Sequence, residues 1–225
     1  KRGIRDSFVA EVDHTEIRIA ASRIRIPRLG WVRMRESVRF DGVVKSITVS
    51  READRWFVSL LVEVPHDPPK RDTNRVVGVD LGVSALATLS DGEKIAGPKA
   101  HKAALIRLRR ANKALARKQK GSANRRKAKS RLARIHARIA NIRSDSLHKL
   151  TTRLIRQFDV IGIEDLNVKG MVKNHNLARA ITDMGFGEFR RQLEYKAQLY
   201  GAKVVVIDRF APTSKTCSDC GHRLE

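Results

Sequence analysis

Arg75-Val76-Val77-Gly78-Val79-Asp80 and Asp159-Val160-Ile161-Gly162-Ile163-Glu164 share one plan: apolar, glycine, apolar, carboxylate. Each reads as a strand, and each ends on an acid that sits badly in an apolar run. An ionised carboxylate is costly to bury unless a cation or hydrogen bonds compensate it. Side chains alternate along a strand, so Gly78 shares a face with Asp80 and Gly162 with Glu164, and each glycine removes bulk beside an acid. The same alternation puts Asp165 on the face of Ile161 and Ile163, away from Glu164. Two such acids on separate strands point to a shared site for a hard divalent cation, which prefers oxygen ligands. The plainer alternative is that each acid caps a turn or pairs with an arginine. Asp208 ends a third apolar run, but Arg209 follows it as a ready partner.

Outward from these segments, Ala85 to Leu89 reads as a strand, Asp91-Gly92 as a hairpin turn, and Lys94 to Ala96 as the start of another strand. Three strands joined this tightly predict an antiparallel meander. Residues 101–150 hold 17 Lys+Arg and one acid, Asp145. Leu105, Leu108 and Leu115, then Leu132, Ile135, Ile139 and Ile142, keep helical spacing on either side of Gly121-Ser122, which predicts two long helices forming a basic hairpin. Asn167 to Asn176 reads as a polar loop. Phe189 to Leu199 reads as a helix with Leu193, Ala197 and Tyr200 near one face and Gly201 as its C-cap. Lys203 to Asp208 is a last strand. The order β-β-β, helices, β, helix, β is that of the ribonuclease-H-like α/β architecture.

Residues 1–70 read as all-β. Ile24 and Ile26 alternate with Arg23 and Arg25, and Val32 and Met34 with Arg33 and Arg35, which predicts a small barrel or sandwich with a basic outer face. Pro65, Pro68 and Pro69 mark a linker.

Lys+Arg number 47 against 24 Asp+Glu, a net charge of +23. A surplus this one-sided favours a polyanionic partner, most simply nucleic acid. On the helical arm Arg107, Arg110, Lys113, Arg117, Arg125, Arg126, Lys127, Arg131 and Arg134 are the expected contacts. The bland account of such an arm is a solvated charged face. No apolar run approaches the roughly 18 residues of a membrane span, and no secretory leader is visible. Cys217 and Cys220 are the only cysteines, which excludes a disulfide scaffold and makes a reducing cytosol the default. As C-x-x-C they can grip one Zn²⁺, although a thiol redox motif reads the same. His222 is a further possible ligand. The absence of an initial Met and the stop just after one cysteine pair lead us to expect a piece of a longer protein, with the other half of a zinc ribbon beyond Glu225.

Gly78-Val79-Asp80-Leu81-Gly82, Gly162-Ile163-Glu164-Asp165-Leu166-Asn167-Val168, Gly187-Glu188-Phe189-Arg190-Arg191-Gln192-Leu193-Glu194-Tyr195-Lys196-Ala197 and Ser214-Lys215-Thr216-Cys217-Ser218-Asp219-Cys220-Gly221 occur in this order. Together they resemble the TnpB (OrfB-type) proteins of insertion sequences, relatives of type V CRISPR effectors. Ile26-Pro27-Arg28-Leu29-Gly30-Trp31-Val32 resembles that family's wedge-like, oligonucleotide-binding β-domain. The resemblance implies an RNA-guided DNA endonuclease of a transposable element, working in a prokaryotic cytosol or nucleoid. Its partners would be a guide RNA derived from the transposon end and a target DNA. It implies a RuvC nuclease domain using Mg²⁺ or Mn²⁺, with Asp80 as first carboxylate and Glu164 as second, and Zn²⁺ at Cys217 and Cys220. The implied layout is a partial wedge-like domain over 1–70, a RuvC-like domain over 75–210 with the helical insertion 101–150, and the start of a zinc ribbon over 211–225.

The chain departs from that pattern in lacking the third carboxylate, the second cysteine pair and much of the N-terminal region. We therefore expect these 225 residues alone to be inactive, or nearly so, as a nuclease. Other functions compete. The fold could serve only to hold RNA or DNA. Asp80-Leu81-Gly82 also resembles the first phosphate loop of actin-like ATPases, whose further glycine-rich loops are not found. A transposase joining DNA ends directly is a weaker fourth.

Overall fold

Alternating β-branched and polar residues build the N-terminal part. In the computed structural model, which describes residues 6–11, 17–71 and 73–208, six strands form two antiparallel sheets. The first has the order β1 (Ser7–Glu11), β5 (Val43–Glu52), β6 (Arg55–Glu63). The second joins β2 (Arg18–Ala20), β3 (Arg23–Ile26) and β4 (Gly30–Arg33). Ile24, Ile26, Ile47 and Val49 are buried together, with Ile19, Val58 and Leu60 packed around them, so both sheets contribute to one core. The expected basic outer face is present: Arg23, Arg25 and Arg33 are exposed. Strand β5 was not foreseen. Ser and Thr occupy its outer positions, so its apolar density is low, and its long pairing with β6 completes it.

The chain divides into two units, residues 1–67 with 108–137, and residues 68–107 with 138–225. The second unit is built on a five-stranded sheet of order β11-β10-β7-β8-β9. Its members are β7 (Val76–Asp80), β8 (Ala87–Leu89), β9 (Lys94–Ile95), β10 (Val160–Glu164) and β11 (Lys203–Ile207). Strands β7, β8 and β9 form the expected antiparallel meander. Strand β10 runs parallel to both β7 and β11. Val77, Val79, Ile161 and Ile163 point from the sheet into a core shared with Leu147, Leu154, Ile181, Phe186, Phe189 and Leu193. Those partners come from α2 (Ala123–Gln157), α4 (Ala178–Met184) and α5 (Phe186–Tyr200).

The two long helices are α1 (Ala100–Ala116) and α2, separated by Gly121-Ser122 as expected. Leu108 and Ile139 are buried, but Ile142 is 42% exposed, contrary to the seam read from spacing. The apolar side of α2 resumes at Leu147, Leu150 and Leu154, where it meets the sheet's core. The segment read as a polar loop contains α3 (Val168–Met171), whose first turn is closed by Asn167 accepting from the Gly170 amide at 3.0 Å. It is followed by α4. Both were hidden because each is short and offers only two apolar residues to the core, Val168 and Met171 from α3 and Ile181 and Met184 from α4. Gly201 ends α5 in the left-handed conformation (φ 69°), and a side chain there would run into the Pro69 carbonyl.

Lys196, on α5, is buried and reaches across to α2. Its ammonium donates to the Thr151 hydroxyl (2.7 Å), the Thr152 hydroxyl (2.9 Å) and the His148 carbonyl (2.9 Å). Burial lowers its pKa. Asp183, also buried, accepts from the His101 amide at 2.9 Å and from the Lys102 amide at 3.2 Å, and so caps the start of α1. No helix among the described residues is long and apolar enough to cross a membrane.

Candidate active site

The parallel register of β7 and β10 pairs Val76 with Val160, Gly78 with Gly162 and Val79 with Ile163. One step further along both strands stand Asp80 and Glu164, on neighbouring strands about 4.8 Å apart. Asp80 also lies opposite Thr88 on β8, Thr88 opposite Lys94 on β9, and Glu164 opposite Ile207 on β11. One row therefore crosses the sheet as Ile207, Glu164, Asp80, Thr88, Lys94, on the face opposite to that of Val79 and Ile163. Asp80 is exposed and Glu164 half-buried. Thr88 and Lys94 were missed from sequence, because only strand register brings them to the acids.

The rest of this unit makes the two acids unusual. Asp159 receives the Thr73 hydroxyl, the Arg75 amide and Arg71. Those bonds, the Thr73 hydroxyl first, hold its pKa below the ordinary value. Glu188 is bound by Arg191 at 2.7 Å and Gln192 at 3.0 Å, and the Arg191 bond above all pulls its pKa down to about 2. Glu93 pairs with Arg153, Asp145 with Lys149, Glu194 with Arg190, and Asp91 accepts from the Glu93 amide. Among the described residues of this unit, Asp80 and Glu164 are the carboxylates without a hydrogen-bond or ion-pair partner.

Asp165 is not part of the pair. It binds Arg190 at 2.7 Å, and that guanidinium, held by Glu194 and then Asp165, has its pKa raised. Alternation from Ile207, which lies level with Glu164, turns Asp208 to the opposite side of the sheet. Asp208 also has a partner of its own, so it does not complete the row. Among the described residues no group of three or more His, Cys, Asp or Glu is placed to hold a metal ion. Beside Glu164 opens a cleft of about 300 Å³ lined by Leu81, Asn167, Lys169, Gly187 and Arg190. It lies beyond the carboxyl ends of the parallel strands, where open α/β sheets bind ligands.

A family profile, OrfB_IS605, described as "Probable transposase", matches residues 59–175, which include both acids. The chain belongs to this family. A second profile, "Cas12f1-like, TNB domain", matches residues 186–225. A Streptomyces pristinaespiralis protein named "Putative RNA-guided DNA endonuclease" is 51% identical over 78% of this chain and 44% of its own length. The Escherichia coli K12 protein of the same description, InsQ, is 38% identical over 99% of this chain and 58% of its own. The chain thus spans about half the length of the curated relatives it matches. The solved Cas12f1–sgRNA–target DNA complex contains a chain with a similar fold, with TM-score 0.55 and 18% identity over 82% of this chain and 39% of that one.

In this OrfB_IS605 chain the helical arm presents Arg107, Arg110, Lys113, Arg117, Arg126, Lys127 and Arg131 to solvent, with no ion-pair partner among the described residues. Two of the expected contacts are engaged otherwise. Arg125 is half-buried and donates to the carbonyls of Leu115 (3.0 Å) and Lys118 (2.9 Å), closing the turn between the helices. Arg134 pairs with Asp54 at 2.8 Å. Cys217 and Cys220 lie outside the described residues.

Proposed function

We propose that this chain carries the nuclease unit of an RNA-guided DNA endonuclease of a transposable element, with a ribonuclease-H-like (RuvC) sheet that holds Mg²⁺ or Mn²⁺ at Asp80 and Glu164. The observation that carries the proposal is the unpartnered pair. With 47 Lys+Arg for 24 Asp+Glu, cations are in surplus, yet two acids on adjacent strands are left without one. The strand order, with a meander followed by two parallel strands, supports the RuvC reading. The names of the relatives support guide RNA and target DNA as partners.

Exposed oxygen donors side by side suit a hard divalent ion. Such an ion, when bound, makes a water nucleophilic and stabilises the leaving oxygen of a phosphodiester. The chain's own part is to fix two ligands on rigid strands and to leave them free of an arginine: Arg190, which lines the cleft, is tied to Asp165 and Glu194. Solvent-facing cations of the arm, Arg107, Arg110, Lys113, Arg117, Arg126, Lys127 and Arg131 among them, would hold backbone phosphates, contacts that dominate affinity and weaken with salt. Cys217 and Cys220 would supply two thiolates to a zinc ion.

A non-catalytic nucleic-acid-binding role is the second reading, favoured by the fact that the described residues offer two carboxylates rather than three. The deciding experiment uses the full-length protein with its guide RNA, target DNA and Mg²⁺. Asp80→Ala and Glu164→Ala should each lower cleavage by about 1,000-fold, the several kcal/mol that metal-ion catalysis supplies, with target binding unchanged. Cleavage that survives both substitutions would sink the proposed site, and binding without cleavage in the unsubstituted protein would favour the second reading.

A further inference from the structure

The cleft beside Glu164 is lined by a glycine that the fold does not need. Gly187 is the second residue of α5, and it is exposed. It does not have a positive φ, and a Cβ there would meet nothing within 4 Å. Its neighbour Gly185 is the opposite case. There φ is 74°, and a Cβ would press on the Leu147 Cδ1 at 3.1 Å and the Arg143 Cδ at 3.2 Å. Glycine is also a poor helix former, so folding alone favours another residue at position 187. What glycine does supply is room for a ligand to come close to the backbone.

The other lining residues indicate the chemistry of that ligand. Leu81, Leu166, Val168 and Phe186 give the cleft apolar walls, and Asn167 and Lys169 give it donors. Lys169 is exposed and has no ion-pair or hydrogen-bond partner among the described residues. The Asn167 side-chain carbonyl accepts from the Gly170 amide at 3.0 Å, and its NH₂ group has no partner among the described residues. The cleft thus joins an apolar surface to two open donors. At about 300 Å³ it lies at the lower limit of ligand-binding clefts, room for one nucleotide and too little for a base pair. Glu164 is part of its lining, so whatever fills the cleft lies directly beside that acid.

We propose that the cleft seats the sugar and base of one unpaired deoxynucleotide, the one adjoining the scissile phosphate in the DNA strand being cut. The apolar walls take the sugar and the face of the base. The Asn167 NH₂ donates to a base acceptor, and the Lys169 ammonium to the next phosphate. Every base carries a carbonyl or ring-nitrogen acceptor, so the seat accepts all four. A paired base does not enter, and the seated nucleotide sets which phosphate lies at Asp80 and Glu164. The inference rests on the nuclease reading of those two acids and gives Gly187, Asn167 and Lys169 a positioning role beside them.

The test uses the full-length protein with its guide RNA and target DNA. Gly187→Phe fills the cleft without crowding the fold. It should slow single-turnover cleavage by about 100-fold, the loss expected when a reacting group is misplaced, with target binding unchanged. Gly187→Ala should slow it by less than about threefold. An abasic site at the adjoining nucleotide should slow the parent by about tenfold. The same site should slow Gly187→Phe by no more than about twofold, because that variant no longer seats the base. A second readout needs no cleavage: in the guide-loaded Asp80→Asn complex, 2-aminopurine at the adjoining nucleotide should brighten as it leaves the stack of its neighbours. Adding Gly187→Phe should abolish the rise. Cleavage by Gly187→Phe at the parent rate, equal losses from the abasic site in parent and variant, or an unchanged 2-aminopurine signal would overturn the proposal. If Asp80→Ala and Glu164→Ala still stop cleavage, the nuclease reading survives that failure. If cleavage persists in both, the nuclease reading falls and the seat falls with it.

Discussion

The acids of the second unit fall into two groups that differ in their partners. Asp159, Asp183 and Glu188 sit where elements meet, and each is held by two or more donors. Asp80 and Glu164 sit side by side at strand ends and have none among the described residues. The first group is what folding alone produces in a chain rich in cations, because hydrogen bonds to a carboxylate offset its loss of water. The second group gains nothing from the fold and adds a like-charge contact. The difference separates acids that hold the structure from acids reserved for a ligand, and it predicts that substitution will affect the two groups in opposite ways.

The largest stability effect should come from Asp183. Asp183→Ala leaves the His101 and Lys102 amides at the start of α1 without their acceptor, at a cost of about 2 kcal/mol in unfolding free energy. Asp80→Asn and Glu164→Gln should stay within about 0.5 kcal/mol of the parent, or stabilise slightly, because they remove repulsion and no bond. Urea denaturation of the three variants decides it. A loss above about 1 kcal/mol in Asp80→Asn would place that acid in the structural group and break the comparison.

The half of this comparison that concerns Asp80 and Glu164 was legible in the sequence, and the half that concerns Asp183 was not. The repeated apolar-Gly-apolar-acid pattern fixes strand, face and end for both segments, and local turn signals at Asp91-Gly92 and Gly201 fix the meander and the end of α5. Asp183 sits in Ile181-Thr182-Asp183-Met184, and nothing local shows that its partner is a helix start 82 positions away. Thr88 and Lys94 were hidden for the same reason, since strand register is a long-range fact. Arg125 looked like any other arm cation. Its capture by two carbonyls depends on how tightly the chain turns between the helices.

A pH series sharpens the contrast at smaller amplitude. Arg191 and Gln192 hold Glu188 at about 2, against an ordinary value of 4.5, and the Thr73 hydroxyl depresses Asp159. For a carboxyl depressed in the folded state, the added stability is complete above the unfolded value. It is lost as pH falls toward the folded one. Unfolding free energy should therefore decline from about pH 5 downward, and Glu188→Gln should flatten part of that decline. A decline as steep in Glu188→Gln as in the parent would mean that the bonds from Arg191 and Gln192 to Glu188 do not stabilise the fold.

The smallest expected effect concerns the glycines beside the acids. A methyl group at Gly78 would meet the Ser90 Cβ at 3.6 Å. One at Gly162 would meet the Ile207 Cδ1 at 3.7 Å and the Gly78 Cα at 3.9 Å. These are ordinary contacts, and neither glycine has the positive φ that would strain a side chain. The fold therefore does not require glycine at either position. Gly78→Ala and Gly162→Ala should each change stability by less than about 1 kcal/mol, and in the stabilising direction, because alanine reduces the freedom of the unfolded chain. If cleavage by the full-length protein falls in the same variants, the space between the strands is kept for a ligand that approaches Asp80 and Glu164 along the sheet face. If stability and cleavage both hold, the acids act without that space, and the glycines in the shared pattern carry no function.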